Sequence, residues 1–147
     1  MIETGLKAGD VFFWKDYSLS TDEIKSRWFL YLGNQTTLAI VYQITTTTKL
    51  HHYEPGGIRA KNNHFAIPAR IGGLERDSVL DLTLYFRPIH ESVMNGCKSD
   101  IEKKGILDQD YANRFVRHLK DDAHIPRIMK KDICRYLGEA GFNVKPI

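Results

Sequence analysis

The sequence predicts an α+β domain in which strands come first and helices last. Three observations predict it. Short runs rich in aromatic and β-branched residues, separated by Gly, Pro and polar turns, occupy residues 1 to about 90. After Pro88 the hydrophobic period shifts from two towards that of a helix. No internal repeat or low-complexity linker divides the two parts, and 147 residues suit one domain. We therefore expect a single domain over residues 1–147, with a small strand-rich barrel at 1–90 and a helical part at 91–147 docked on it.

Val11-Phe12-Phe13-Trp14, after Gly9-Asp10, fits a pleated, half-buried strand. From Asp16 to Lys25 the side chains of Ser18, Ser20, Thr21 and Asp22 compete with regular structure and predict a flexible connection, with a helical turn at Thr21-Asp22-Glu23-Ile24. Trp28 to Leu32 reads as a buried strand. Gly33-Asn34 is expected to turn it into a second one over Leu38–Ile44, extended by Thr45 to Thr48 until Pro55-Gly56-Gly57 opens an exposed loop. His64 to Ile67, stopped by Pro68, predicts an edge strand, and Gly72-Gly73 a turn. Val79 to Phe86 alternates Leu80, Leu82, Leu84 and Phe86 against Asp81, Thr83 and Tyr85, the pattern of a half-buried strand.

Gly96 and Gly105 punctuate the charged stretch that follows, where the barrel is expected to have ended. Tyr111, Phe115, Val116 and Leu119 share one helical face and predict a helix over about 108–121, with Asp108 or Asp110 near the positive end of its dipole. Pro126 suits the first turn of a second helix, in which Ile125, Met129, Ile133 and Leu137 recur every four residues before Gly138 or Gly141.

Composition narrows the function classes. With 42% hydrophobic and 27% charged residues the chain is neither disordered nor equipped with a bilayer-spanning run. Glu3 stands where a signal peptide would carry positive charge, so a cytoplasmic protein is expected. Cys97 and Cys134 have no companion ligands, and the adjacent His51 and His52 lack a spaced third ligand, so no metal site is expected. A net charge of +3 permits contact with nucleic acid without announcing it. Arg114, Arg117, Lys120, Arg127, Lys130, Lys131 and Arg135 are diluted by five aspartates and read as a solvated mixed-charge face.

Three segments occur in an order that resembles a known family. They are Gly9-Asp10-Val11-Phe12-Phe13, then Arg27-Trp28-Phe29-Leu30 after a polar loop, then Ile40-Val41-Tyr42-Gln43-Ile44-Thr45-Thr46. Together with Gly73-Leu74-Glu75-Arg76-Asp77-Ser78-Val79-Leu80, this order resembles the PemK/MazF toxin endoribonucleases over about two-thirds of the chain. The family's usual Pro after the Arg is Trp28 here, and the helical tail is longer.

The resemblance implies an SH3-like, partly open antiparallel β-barrel with two C-terminal helices. It also implies cleavage of single-stranded RNA by internal 2′-hydroxyl attack without metal or cofactor, a homodimer, and control by an antitoxin protein. Arg27, whose planar fork suits non-bridging phosphate oxygens, and Thr45, a positioning hydroxyl, are the catalytic candidates. Thr46 and Lys49 are the substrate-binding candidates, Thr46 because a one-residue register slip would exchange it with Thr45. Glu23, His51, His52 and His64 leave the general base open. The alternative reading is a catalytically inactive barrel that binds RNA or a protein partner.

Overall fold

The computed structural model describes residues 1–18 and 24–147. Its strands are β1 (Asp10–Tyr17), β2 (Lys25–Gln35), β3 (Ile40–Thr47), β4 (His64–Ile67), β5 (Ser78–Asp81), β6 (Ile89–His90) and β7 (Ile101–Ile106). Its α-helices are α1 (Leu82–Tyr85), α2 (Glu91–Gly96), α3 (Gln109–Asp121) and α4 (Arg127–Glu139). Among the described residues the seven strands make one antiparallel sheet in the order β4-β5-β3-β2-β1-β7, with β6 paired to β3. The sheet is not closed into a barrel. β4 lies at one end, as expected of an edge strand, and β7 at the other. The 3-10 turn Ile71–Gly73 lies against β7, so closely that a Cβ on Gly105 would come 2.5 Å from the Gly72 carbonyl oxygen.

Side-chain alternation gives the sheet two buried faces. Val11, Leu30, Leu32, Tyr42 and Ile44 share one core with Phe115, Leu119, Ile133 and Leu137, so α3 and α4 dock on the strands as expected. Phe12, Trp14, Phe29, Tyr31 and Val41 face the other way, where Leu6 and Met94 cover them. Phe12 stacks on Phe29 at 5.2 Å, and Tyr17 meets Phe29 edge-on at 5.0 Å. No helix among the described residues is long and apolar enough to cross a membrane.

Four expectations are corrected. The strand over Val79–Phe86 stops at Asp81 and becomes the single helical turn α1, because the Asp81 carboxylate accepts the Leu84 amide (3.0 Å) as an N-cap. The strands do not end at residue 90, because Ile101–Ile106 pairs with β1 from Asp10↔Ile106 to Trp14↔Ile101. Its charges belong to an exposed edge, where they discourage pairing with another chain. Gly33-Asn34 is not the turn. β2 runs on to Gln35 and the chain reverses over Thr36–Ala39, while Gly33 (φ 131°) sits at a register shift with the Tyr136 ring where a Cβ would be. Asn34 instead ties Ile2, Ile40 and Glu91 together through its side-chain amide. Finally, Asp16 and Lys25 belong to strands, with Tyr17 paired to Lys25. Leu19, Ser20, Thr21, Asp22 and Glu23 of the expected connection, and with them most of the expected helical turn, lie outside the described residues.

The seam between α3 and β4 makes stability depend on pH. The His118 ring stacks on Phe65 at 4.8 Å and its Nδ1 donates to Asn63 Oδ1 (2.8 Å), while Asn63 Nδ2 donates to Asp122 Oδ2 (3.0 Å) and the His118 carbonyl (2.8 Å). Burial, with His64 and Arg117 nearby, holds His118 below the ordinary 6.5. Burial opposes the Asp122 charge, but bonds from Asn63, Ile125 and His124 and the Lys130 ammonium outweigh it and hold the carboxyl below 3.8. In both cases the unfolded chain binds more protons than the folded one. The stability that these two groups contribute is therefore full above about pH 7, falls as pH drops below the unfolded His value, and falls again below about pH 4. Urea unfolding across this range should show both declines, and His118→Gln should flatten the first.

Candidate functional site

The sequence-predicted residues meet where strands begin and end. β2 enters the sheet through Lys25, Ser26, Arg27 and Trp28, and its partner β3 leaves it through Thr46 and Thr47 into Thr48 and Lys49. The turn Leu74–Ser78 leads into β5, which pairs with that same end of β3 through Thr46↔Leu80 and Thr47↔Val79. These three segments and Tyr85 enclose a cleft of about 360 Å³. That is near the lower end of the roughly 300–1,000 Å³ typical of small-ligand sites.

The walls are polar and mainly cationic. Lys25, Arg27, Lys49 and Arg76 line the cleft, and Glu75 is the one carboxylate among the described lining residues. None of these four cations forms an ion pair with a described residue. Their positive charge is therefore available to an anionic ligand. Thr46 Oγ1 donates to the Trp28 carbonyl at 3.4 Å, a long contact that leaves the hydroxyl able to rebind. The turn carrying Glu75 and Arg76 is braced from within: Ser78 Oγ donates to the Arg76 carbonyl (2.9 Å), and the Ala69 amide donates to Asp77 Oδ1 (2.8 Å).

Arg27, Thr46 and Lys49 thus share one cleft. Thr45 does not line it: its side chain is 3% exposed, and it pairs across the sheet with Phe29. Trp28 reaches the cleft, but its ring meets Phe13 edge-on at 5.6 Å and lies under the Lys104 ammonium at 6.0 Å. Trp14 and Tyr31 are buried core residues.

His51 and His52 occupy the 3-10 turn Leu50–Tyr53 with ring centroids 4.3 Å apart, outside the cleft lining, as is His64. Among the described residues no group of three or more His, Cys, Asp or Glu could hold a metal ion. Among the basic helical residues, Lys130 Nζ donates to the Lys120 (3.1 Å) and Asp122 carbonyls, and Arg135 pairs with Asp132 at 3.2 Å, so part of that face is engaged locally.

Sequence reasoning did not single out four of the cleft residues. Lys25 precedes the Arg27–Leu30 segment. Glu75 and Arg76 lie within the Gly73–Leu80 segment but were given no role. Tyr85 was assigned to the outer face of a strand that turns out to be a helix. The chain matches no family model, and no curated protein matches it.

Proposed function

We propose that this cleft holds a phosphodiester and that the chain is a PemK/MazF-like endoribonuclease acting on single-stranded RNA. The observation that carries the reading is the meeting, at adjacent strand ends, of Arg27 and the Thr46–Thr48 hydroxyls with three further cations and a single carboxylate. The antiparallel strand order and the close packing of the Ile71–Gly73 turn against β7 are compatible with the SH3-like, partly open barrel of that family.

Arg27 binds the non-bridging oxygens on which charge builds as the 2′-hydroxyl attacks phosphorus. Thr46 positions the phosphate, taking the part first considered for Thr45. Lys25, Lys49 and Arg76 hold the neighbouring phosphates, and Glu75 accepts the 2′-hydroxyl proton. An antitoxin protein and a second copy of the chain are the partners that accompany this reading.

The test is cleavage of a mixed-sequence RNA in chelator by the native chain, Thr46→Ala and Thr45→Ala. Thr46→Ala should lower the rate at least ten-fold, and Thr45→Ala should act mainly through stability. Binding should follow salt: neutralising four phosphates of a single strand gives a slope near −3, or about fifty-fold weaker retention between 50 and 200 mM salt. Retention with that slope but no cleavage would leave an RNA-binding module. No retention would remove RNA as the ligand.

A further inference from the structure

Tyr85 lines the cleft. Its phenol oxygen accepts a hydrogen bond from Arg59 Nη1 at 2.8 Å, and the guanidinium carbon lies 5.5 Å from the ring centroid. Arg59 is not a lining residue. It arrives from the connection between Leu50 and Asn63, and that connection is fixed. The Arg59 amide donates to the His52 carbonyl at 2.8 Å, and Gly57 packs so tightly that a Cβ there would come 2.4 Å from the same oxygen.

Tyr53 Oη and Asn62 Nδ2 both donate to Asp81 Oδ2, at 2.7 and 2.9 Å, and Asp81 also caps the turn that carries Tyr85. One buried carboxylate therefore holds both partners of the Arg59–Tyr85 pair. An arginine only donates. The Tyr85 oxygen is necessarily the acceptor in that bond, and its own proton is directed away from Arg59.

We propose that Tyr85 is the general acid of the cleavage, with Arg59 as its positioning residue. The proposal rests on the reading of the cleft as a phosphodiester site. The 2′-oxygen bonds to phosphorus as its proton passes to Glu75. The bond from phosphorus to the 5′-oxygen breaks as that oxygen takes the phenol proton of Tyr85. The products are a 2′,3′-cyclic phosphate and a free 5′-hydroxyl. The phenolate faces the Arg59 charge until water returns a proton to it and removes the one on Glu75. A tyrosine in this role is within the ordinary range of acid catalysts and contributes about 10²–10⁴-fold.

The experiment compares an RNA oligonucleotide that the native chain cuts with the same oligonucleotide carrying sulfur in place of the 5′-bridging oxygen, a leaving group that needs no proton. Tyr85→Phe, which keeps the ring, should cut the oxygen substrate about 10²-fold more slowly than the native chain. It should cut the sulfur substrate at nearly the native rate. Arg59→Gln should shift the same ratio in the same direction, and Arg27→Ala should slow both substrates alike. The ratio within one sample does not depend on the folded fraction, so partial misfolding cannot imitate it. Equal slowing of both substrates by Tyr85→Phe, or no slowing of either, would overturn the acid role while leaving the nuclease reading intact. Failure of the native chain to cut either substrate would overturn both.

Discussion

Replacing Arg27 with Ala is expected to lower kcat for RNA cleavage by about 10²–10³-fold, the loss found when one donor aimed at developing charge is removed. The fold should hardly notice. Arg27 pairs with Trp14 through the backbone, which the substitution keeps, and its guanidinium makes no hydrogen bond or ion pair with a described residue. For a partly buried side chain with no such partner the change in stability is typically about 0.5 kcal/mol. Urea unfolding and RNA cleavage on the same preparation therefore separate the two effects. Arg27→Lys refines the assignment: an ammonium keeps the charge but cannot present two parallel donors to two oxygens, so binding should survive better than turnover. A rate unchanged by Arg27→Ala would remove the residue from the mechanism.

How much of this was legible in the sequence depended on whether a local pattern had one physical explanation. Val11–Trp14, Trp28–Leu32 and the two C-terminal helices were legible because their apolar residues are buried where period and composition agree. The stretch from Val79 to Phe86 was not, because Leu80, Leu82, Leu84 and Phe86 satisfy a two-residue period that a single capped turn breaks just as well. What decided it is a contact no local window contains: Asp81 is bound by Tyr53, 28 residues earlier. β7 was hidden for the opposite reason. An exposed edge strand has little apolar content to display, and Glu102, Lys103, Lys104 and Gly105 resemble a loop.

The site shows the same division. Arg27 could be named because the segment it opens resembles one of the family's strands, and Lys49 stands just beyond the threonine run of the next. Which of the consecutive threonines enters the cleft could not, since a run of like residues carries no phase and one position of slip exchanges the faces. The bonded register Phe29↔Thr45 and Thr46↔Leu80 supplies that phase. Arg59 was invisible because Pro55-Gly56-Gly57 read as an exposed loop, whereas its backbone is tied to His52 and its cargo reaches Tyr85.

Asp81→Ala is expected to cost about 2–4 kcal/mol of stability, from a lost helix cap and from buried donors left unpaired. Asp81 is completely buried and accepts from Tyr53 Oη, Asn62 Nδ2 and the Leu84 amide. Burial, together with the bond to Asp81, pushes the Tyr53 phenol well above its ordinary value, so Tyr53 is the donor and loses its acceptor outright. Relief of the carboxylate's own desolvation offsets part of the cost, which is why the range stops short of the sum of three lost bonds. Asp81→Asn should fall between the two, since its amide keeps an oxygen for one donor but turns an NH2 group towards another. Urea unfolding measures the series, and a native-like midpoint for Asp81→Ala would show that the network does not hold the fold. The functional consequence has a direction as well. Asp81 fixes the loop that brings Arg59 and the turn that brings Tyr85, while Arg27 and Thr46 stand on strands fixed by the sheet. At a temperature where Asp81→Ala is still folded, its cleavage defect should therefore fall mainly on the oxygen-leaving substrate, as for Tyr85→Phe, and spare the sulfur-leaving one.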